Sequence, residues 1–273
     1  MKKNNVSPGD YVLLLGKGKT WLVRAMEGYD FHTHLGKVRF SDILGKPFGS
    51  PIYSEKGEKL FALRPTIEDF VMKCERQTQI VYPKDLGMIS LEADIRSGSS
   101  VLEAGSGSGA MTTYLASLVA PKGHVYTYEL REEFKRMAER NVMKAGLEGV
   151  VTFKLQDASK GFEEKNIDAC VIDVGDPWVL VPQCWKALRP SGRFVGVTPT
   201  MNQAERLSEV LRASGFSRVK CIEIMLRNIE AREGKTRPSM MMVGHTAYLI
   251  FATKVLETSQ SASSDLAEAG EDL

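Results

Sequence analysis

The sequence of 273 residues has only four cysteines, Cys74, Cys170, Cys184 and Cys221, and no two of them form a Cys-x-x-Cys pair. That excludes the usual zinc-ribbon and dithiol signatures and leaves reduced, mostly buried thiols with no metal site. No apolar run approaches the roughly 18–20 residues of a membrane span. The start, Met1-Lys2-Lys3-Asn4-Asn5, lacks the apolar core of a signal peptide. A cytoplasmic protein with no membrane partner is expected. Internal repeats are missing too, which excludes stacked-repeat architectures.

A large charge excess is also lacking, since the formal net charge is +2, but this hides an asymmetry. The end from Val255 holds Glu257, Asp265, Glu268, Glu271 and Asp272 and no base. Without those five carboxylates the body carries +7, which suits a polyanionic partner as well as an ordinary solvated surface. Residues from Ser259 onward are Ser-, Ala- and acid-rich and are expected to be disordered.

What is present centres on Val101-Leu102-Glu103-Ala104-Gly105-Ser106-Gly107-Ser108-Gly109-Ala110. A short apolar run ends in Gly-x-Gly-x-Gly, and a helical pattern (Met111, Tyr114, Leu115, Leu118) follows. Such a turn lets a ligand approach the backbone while the helix N-terminus aims unpaired N–H groups at it. The next strand-like run, His124–Tyr128, leads to Glu129, twenty residues past Gly109. An acid at that distance grips ribose hydroxyls in nucleoside-binding βαβ units. The third glycine comes one residue earlier than in the dinucleotide fingerprint. That favours S-adenosylmethionine over NAD, although glycine spacing alone leaves both open.

Residues 1–64 alternate short β-like runs with turns, as in Tyr11–Leu15, Gly16-Lys17-Gly18-Lys19 and Thr20–Val23, and predict a small barrel or sandwich. Thr66 opens a helix with Asp69 as its capping-box partner, and a second helical run passes Leu86, Ile89 and Leu91. Tyr82 precedes Pro83 and is therefore extended; it could stack on a base or simply pack in the core.

Beyond Val101 the pattern becomes regular. Apolar strands ending at Glu129, Gln156-Asp157 and Asp173 alternate with helices, and Phe194–Val197 forms a fifth strand. This predicts a doubly wound α/β domain over 65–254, with ligands beyond the carboxyl ends of its parallel strands. Asp157 there suits an adenine amino group or a helix N-cap. Pro177 fits a first helical turn capped by Asp176, so Asp173 is the acid left for function. Arg218–Ile224 and His245–Phe251 read as an antiparallel pair closing the sheet. The loop between them bears Arg227, Arg232, Lys235, Arg237 and Met240-Met241-Met242, which suits a nucleic-acid clamp or an oligomer contact.

Several motifs then stand out together: Phe31-His32-Thr33-His34-x-Gly36, Gly45-Lys46-Pro47-x-Gly49-Ser50, Thr78-Gln79-Ile80-Val81-Tyr82-Pro83-Lys84-Asp85, Leu102–Gly109, Asp173-x-x-x-Pro177-Trp178 and Gly244-His245-Thr246-Ala247. With them the chain, up to residue 254, resembles the tRNA adenine-58-N1 methyltransferases, class I S-adenosylmethionine-dependent enzymes. The resemblance implies a seven-stranded, mostly parallel sheet with a small tRNA-binding N-terminal β domain, tRNA as partner, and a homotetramer. It implies S-adenosylmethionine as cofactor, with Glu103, Gly105, Ser106, Gly107, Ser108, Gly109, Ala110 and Met111 around its methionine part and Gln79 nearby. Glu129 is then the ribose ligand, Asp157 the adenine ligand, and Asp173 serves both cofactor and reaction, with Tyr82 as a second catalytic candidate. The carboxylate of Asp176 and the acidic tail, 255–273, depart from the family pattern.

Two readings from other classes compete. A non-catalytic RNA-binding subunit would usually show an eroded glycine loop, and this one is intact. A methyltransferase acting on a protein or small molecule leaves the β domain and basic body without a purpose.

Overall fold

The computed structural model describes residues 4–256, so the expectation of a disordered tail lies outside the described residues. The chain begins with strands β1 (Tyr11–Gly16) and β2 (Lys19–Arg24). They form a hairpin whose two turn residues, Lys17 and Gly18, both have positive φ, 48° and 75°. That turn matches the right-handed twist of the strands it joins. Strands β3 (Asp30–Thr33) and β4 (Gly36–Arg39) make a second hairpin, closed by Thr33 Oγ1 donating to Gly36 O at 2.9 Å. Strands β5 (Ser50–Tyr53) and β6 (Lys59–Leu63) complete a four-stranded antiparallel sheet in the order β2-β1-β6-β5. Val12, Leu14, Val38, Ile43, Ile52 and Leu60 form its closed core. The Gly45–Ser50 motif is structural here: Gly45 N donates to Val6 O and Gly49 N to Ala62 O.

Helix α1 (Ile67–Met72) starts at the expected capping box, with Thr66 and Asp69 satisfying each other's backbone N–H. Tyr82 is extended (φ −77°, ψ 155°), and Pro83 opens α2 (Pro83–Glu92). Leu86 and Ile89 of α2 are buried, but Leu91 is 74 % exposed, off the apolar face expected for it.

The larger sheet follows as β7 (Ser100–Ala104), α3 (Ala110–Val119), β8 (His124–Glu129), α4 (Glu132–Lys144), β9 (Val151–Leu155), β10 (Ile167–Ile172), α5 (Val181–Ala187), β11 (Leu188–Thr198), α6 (Met201–Ala213) and β12 (Phe216–Glu223). A short hairpin, β13 (Ile229–Glu230) with β14 (Arg237–Pro238), interrupts the basic loop, and β15 (Tyr248–Lys254) ends the sheet. The strand order is β12-β15-β11-β10-β7-β8-β9, parallel except that β15 runs against both its neighbours. This is the expected doubly wound, seven-stranded fold.

Strand parity sorts the core into two layers. Val101, Val171 and Val195 face a layer built with α2, α3 and α4, while Leu102, Cys170, Ile172 and Phe194 face α5 and α6. Truncating a fully buried side chain such as Leu102 to alanine would cost about 2–5 kcal/mol. Only Cys170 and Cys184 are buried; Cys74 is half-buried and Cys221 exposed, so the thiols are less uniformly interior than expected.

The chain leaves β7 toward β8 and β9 on one side and returns through β10 to the other. The carboxyl ends of β7 and β10 therefore flank the point where strand order reverses, the place where open α/β sheets bind ligands.

Candidate active site

Gly105, after β7, and Asp173, after β10, meet at that point. A Cβ on Gly105 would lie 2.0 Å from the Asp173 carbonyl oxygen, and its φ of 94° disfavours any other residue. Gly109 has φ 76°, and a Cβ there would come within 2.7 Å of Ala138 Cα on α4. The first glycine thus brings two strand ends together, and the last seats α3 against α4. Asn141 of α4 holds the loop from behind, donating from Nδ2 to Ser108 O and to Glu75 O at 2.8 Å each.

The loop faces a cavity of about 540 Å³, within the usual range for small-molecule sites. Gly105, Ser106, Gly107, Ser108, Ala110 and Met111 line one wall, and residues 78–81, including Gln79, line another. Glu129 and Asp173 open into the same space. An adjoining cavity of about 260 Å³ shares Gly105, Glu129, Val174 and Gly175 and is bounded by Asp157. The topology therefore brings Gln79, most of the glycine loop, Glu129, Asp157 and Asp173 around one connected space.

Three acids crowd this end of the sheet, in different states. Glu129 Oε2 accepts from Gly107 N at 3.0 Å, and its Oε1 from Leu130 N and Arg131 N at 3.0 and 3.1 Å. A carboxylate has about four acceptor positions, so capacity remains for ligand hydroxyls. Asp173 is walled by protein on most sides, which pushes its pKa up to about 6, yet its side chain is exposed to the cavity. With a pKa of about 6 it is ionised at neutral pH. Glu103 is fully buried, and desolvation pushes its pKa to about 8 against a 2.6 Å bond donated by Thr112, with Asp173 and Glu129 raising it further. It is therefore neutral at pH 7, and its Oε1 has no hydrogen-bond partner.

Several expectations need correction. Glu103 does not reach the cavity: it lies on the same side of β7 as Val101, beneath α3, and supports the loop instead. Gly109 does not line the cavity either, since its role is the contact with Ala138. Tyr82 borders a separate cavity of about 360 Å³, with Lys84, Leu226, Met241 and Met242. Asp157 caps the short turn after β9, accepting from Ser159 N at 2.9 Å, while also bounding the adjoining cavity. Asp176 stands at the N-cap position of the turn at Pro177–Leu180, but its side chain makes no capping bond. Its φ of −125° and ψ of 67° depart from the extended geometry that aims a cap at the first N–H groups.

Other residues emerge only in three dimensions. Gln203 lines the cavity and donates from Nε2 to Gly175 O at 2.9 Å, tying α6 to the loop after Asp173. Its signal in the sequence is the Thr-x-x-Gln start of α6, a capping-box pattern whose Thr200 accepts from Gln203 N. Lys84 and Asp85 form a buried ion pair at 2.8 Å. Lys84 also donates to Ile224 O at 2.7 Å, and Thr246 Oγ1 donates to Asp85 Oδ2 at 2.7 Å. This cluster explains two of the motifs, because it pins both ends of the basic loop to the helix that follows Tyr82. His245 adds a bond from Nε2 to Pro199 O at 2.9 Å, beside the cavity.

The sequence and fold match known proteins. Residues 59–237 match the family model described as tRNA methyltransferase complex GCD14 subunit. A Methanocaldococcus jannaschii protein named tRNA (adenine(57)-N(1)/adenine(58)-N(1))-methyltransferase TrmI is 34 % identical, over 89 % of this chain and 94 % of its own. Among solved structures, the tRNA (m1A58) methyltransferase TrmI of Aquifex aeolicus superposes with TM-score 0.81 at 32 % identity, covering 93 % of this chain and 100 % of that one. A Thermotoga maritima structure described as an S-adenosylmethionine-dependent O-methyltransferase superposes with TM-score 0.89 at 40 % identity, covering 94 % and 97 %. With a glycine loop, an acid after the second strand and an acid after the fourth on the methyltransferase sheet, the chain belongs to the tRNA methyltransferase GCD14 family.

Proposed function

We propose that the protein transfers a methyl group from S-adenosylmethionine to N1 of adenine 58 in the T loop of tRNA. The observation that carries this reading is Asp173 opening into the same cavity as the glycine loop and Glu129. The names of the Methanocaldococcus and Aquifex relatives support it.

The residues fit the cofactor. Gly107, where a Cβ would meet no atom within 4 Å, keeps the loop backbone open to the cavity, the start of α3 suits a carboxylate, Glu129 retains an acceptor position for a ribose hydroxyl, and Asp157 suits the adenine amine. When bound, S-adenosylmethionine supplies an electrophilic methyl on a sulfonium. The protein's part is chiefly to hold two reactants in line. Adenine N1 gains positive charge as it attacks, and the Asp173 carboxylate stabilises that charge or takes a proton from N6. Tyr82 borders a separate cavity, directly after residues 78–81 that line the cofactor cavity, and its ring would pack on the extruded target base there. The protein works in the cytoplasm as a homotetramer on this reading, and no helix of the described residues is long and apolar enough to cross a membrane.

The description of the Thermotoga structure favours a second reading, methyl transfer to oxygen. Nucleoside mass spectrometry decides between them after unmodified tRNA is incubated with protein and cofactor. We expect 1-methyladenosine at position 58. Ribose-methylated nucleosides would favour the second reading, and unmodified tRNA would overturn tRNA methylation at either atom.

A further inference from the structure

Away from the methyl-transfer cavity, a groove of about 620 Å³ runs between the N-terminal β-sheet and the end of α4. Four cations line it: Arg24 and Arg64 from the small domain, Arg140 and Lys144 from α4. Arg64 lies over the Phe48 ring with its guanidinium carbon 4.1 Å from the centroid, and Tyr11 and Phe70, which also line the groove, pack edge-on with centroids 5.9 Å apart. Asp10 also lines the groove, Arg24 Nε donates to Gly9 O at 3.3 Å, and Glu75 sits beside Arg140 and Lys144. Asp10 is engaged locally, accepting from Ser7 N at 2.8 Å. Lys144 also lies in the last helical turn, where it answers the negative end of the α4 dipole.

Glu75 is the unusual member. Its two oxygens take a paired bond from Arg140, at 2.8 Å from Nη2 and 3.2 Å from Nε, and Lys144 sits 3.8 Å away. A carboxylate held in a guanidinium fork beside a lysine occupies the geometry of a phosphate. Glu75 N also donates to Asn141 Oδ1 at 3.1 Å, and Asn141 Nδ2 bonds the glycine loop at Ser108 O. The segment continues through residues 78–81 into the cofactor cavity.

We propose that this groove is a second RNA site, which takes the phosphate backbone of the substrate tRNA away from the target base, with Glu75 standing in for one phosphate until RNA arrives. The inference rests on the tRNA reading above. Cations from both domains converge on a groove with aromatic faces, which is the composition that tracks an RNA strand. An incoming phosphodiester displaces Glu75 from Arg140 and Lys144, and the freed carboxylate turns to solvent.

The test uses the full chain, an unmodified tRNA transcript and a salt series. In the double variant Arg24→Ala/Arg64→Ala, tRNA affinity should fall about tenfold or more, and the slope of log K against log salt should flatten by about 1 to 2. Its KM for tRNA should rise while kcat at saturating tRNA and affinity for S-adenosylmethionine hold. Glu75→Gln should do the reverse and tighten tRNA binding severalfold, because it removes the competing carboxylate; a merely structural ion pair would give weaker binding or none of this gain. Unchanged affinity and salt slope in the double variant overturn the inference while leaving the catalytic reading intact. A wild-type protein that binds no tRNA overturns both.

Discussion

Replacing Glu103 by glutamine isolates the buried acid beneath the glycine loop. In the folded protein its pKa rises from 4.5 to about 8, chiefly because its carboxyl is fully desolvated. Between those values the folded state holds a proton that the unfolded chain has lost. Stability therefore falls as pH rises through that window and is level on either side. Each pH unit is worth about 1.4 kcal/mol, so wild type loses a few kcal/mol between pH 5 and pH 8 from this group alone. Glutamine keeps the acceptor for Thr112 and carries no titrating proton. Urea denaturation at pH 5, 6.5 and 8 should show the variant gaining on wild type as pH rises, with little difference at pH 5. A gap between the two proteins that does not change with pH would refute the neutral Glu103.

Glu129→Ala should weaken S-adenosylmethionine binding by about 1.5–3 kcal/mol, the scale of charged hydrogen bonds; unchanged affinity in calorimetry would remove the ribose assignment. Gly105→Ala should abolish cofactor binding, since its Cβ would displace the Asp173 backbone from 2.0 Å; wild-type affinity in a folded variant would show that the two strand ends need not meet. Asp176→Ala should leave stability within about 0.5 kcal/mol of wild type, as for a surface side chain without a special role; a loss near the ~1 kcal/mol of a helix cap would restore the capping role that the structure lacks.

The sheet and the cofactor loop were legible because each rests on local rules. Continuous apolar strands ending in acids identify a parallel sheet, and the glycines identify the turn. The pre-proline rule correctly set the backbone of Tyr82. Which cavity its ring borders depends on residues 226–246, packed against it from the far end of the chain through Lys84, Asp85 and Thr246, and no local rule reaches that far. Glu103 was misplaced by following the motif rather than strand parity: alternation with Val101 and Leu102 already directs it beneath α3. The cap expected at Asp176 failed because a tight turn, not an α-helix, starts at Pro177, with Asp176 outside the cap geometry. Short strands such as Asp30–Thr33 and Ser50–Tyr53 escaped because their pairing partners, not their residues, make them strands.

The most direct test of the central claim is single-turnover methylation of tRNA by Asp173→Ala, with tRNA and cofactor saturating. If this carboxylate stabilises charge that develops on adenine N1, the rate should fall by roughly 10²–10³, the range for one preorganised electrostatic partner. Affinity for tRNA should change little, because that charge is absent from the free substrate. The wild-type rate should rise with pH through about 6 as Asp173 ionises and then level, and the variant should lack that rise. A variant that methylates at nearly the wild-type rate, with the same pH profile, would contradict the account.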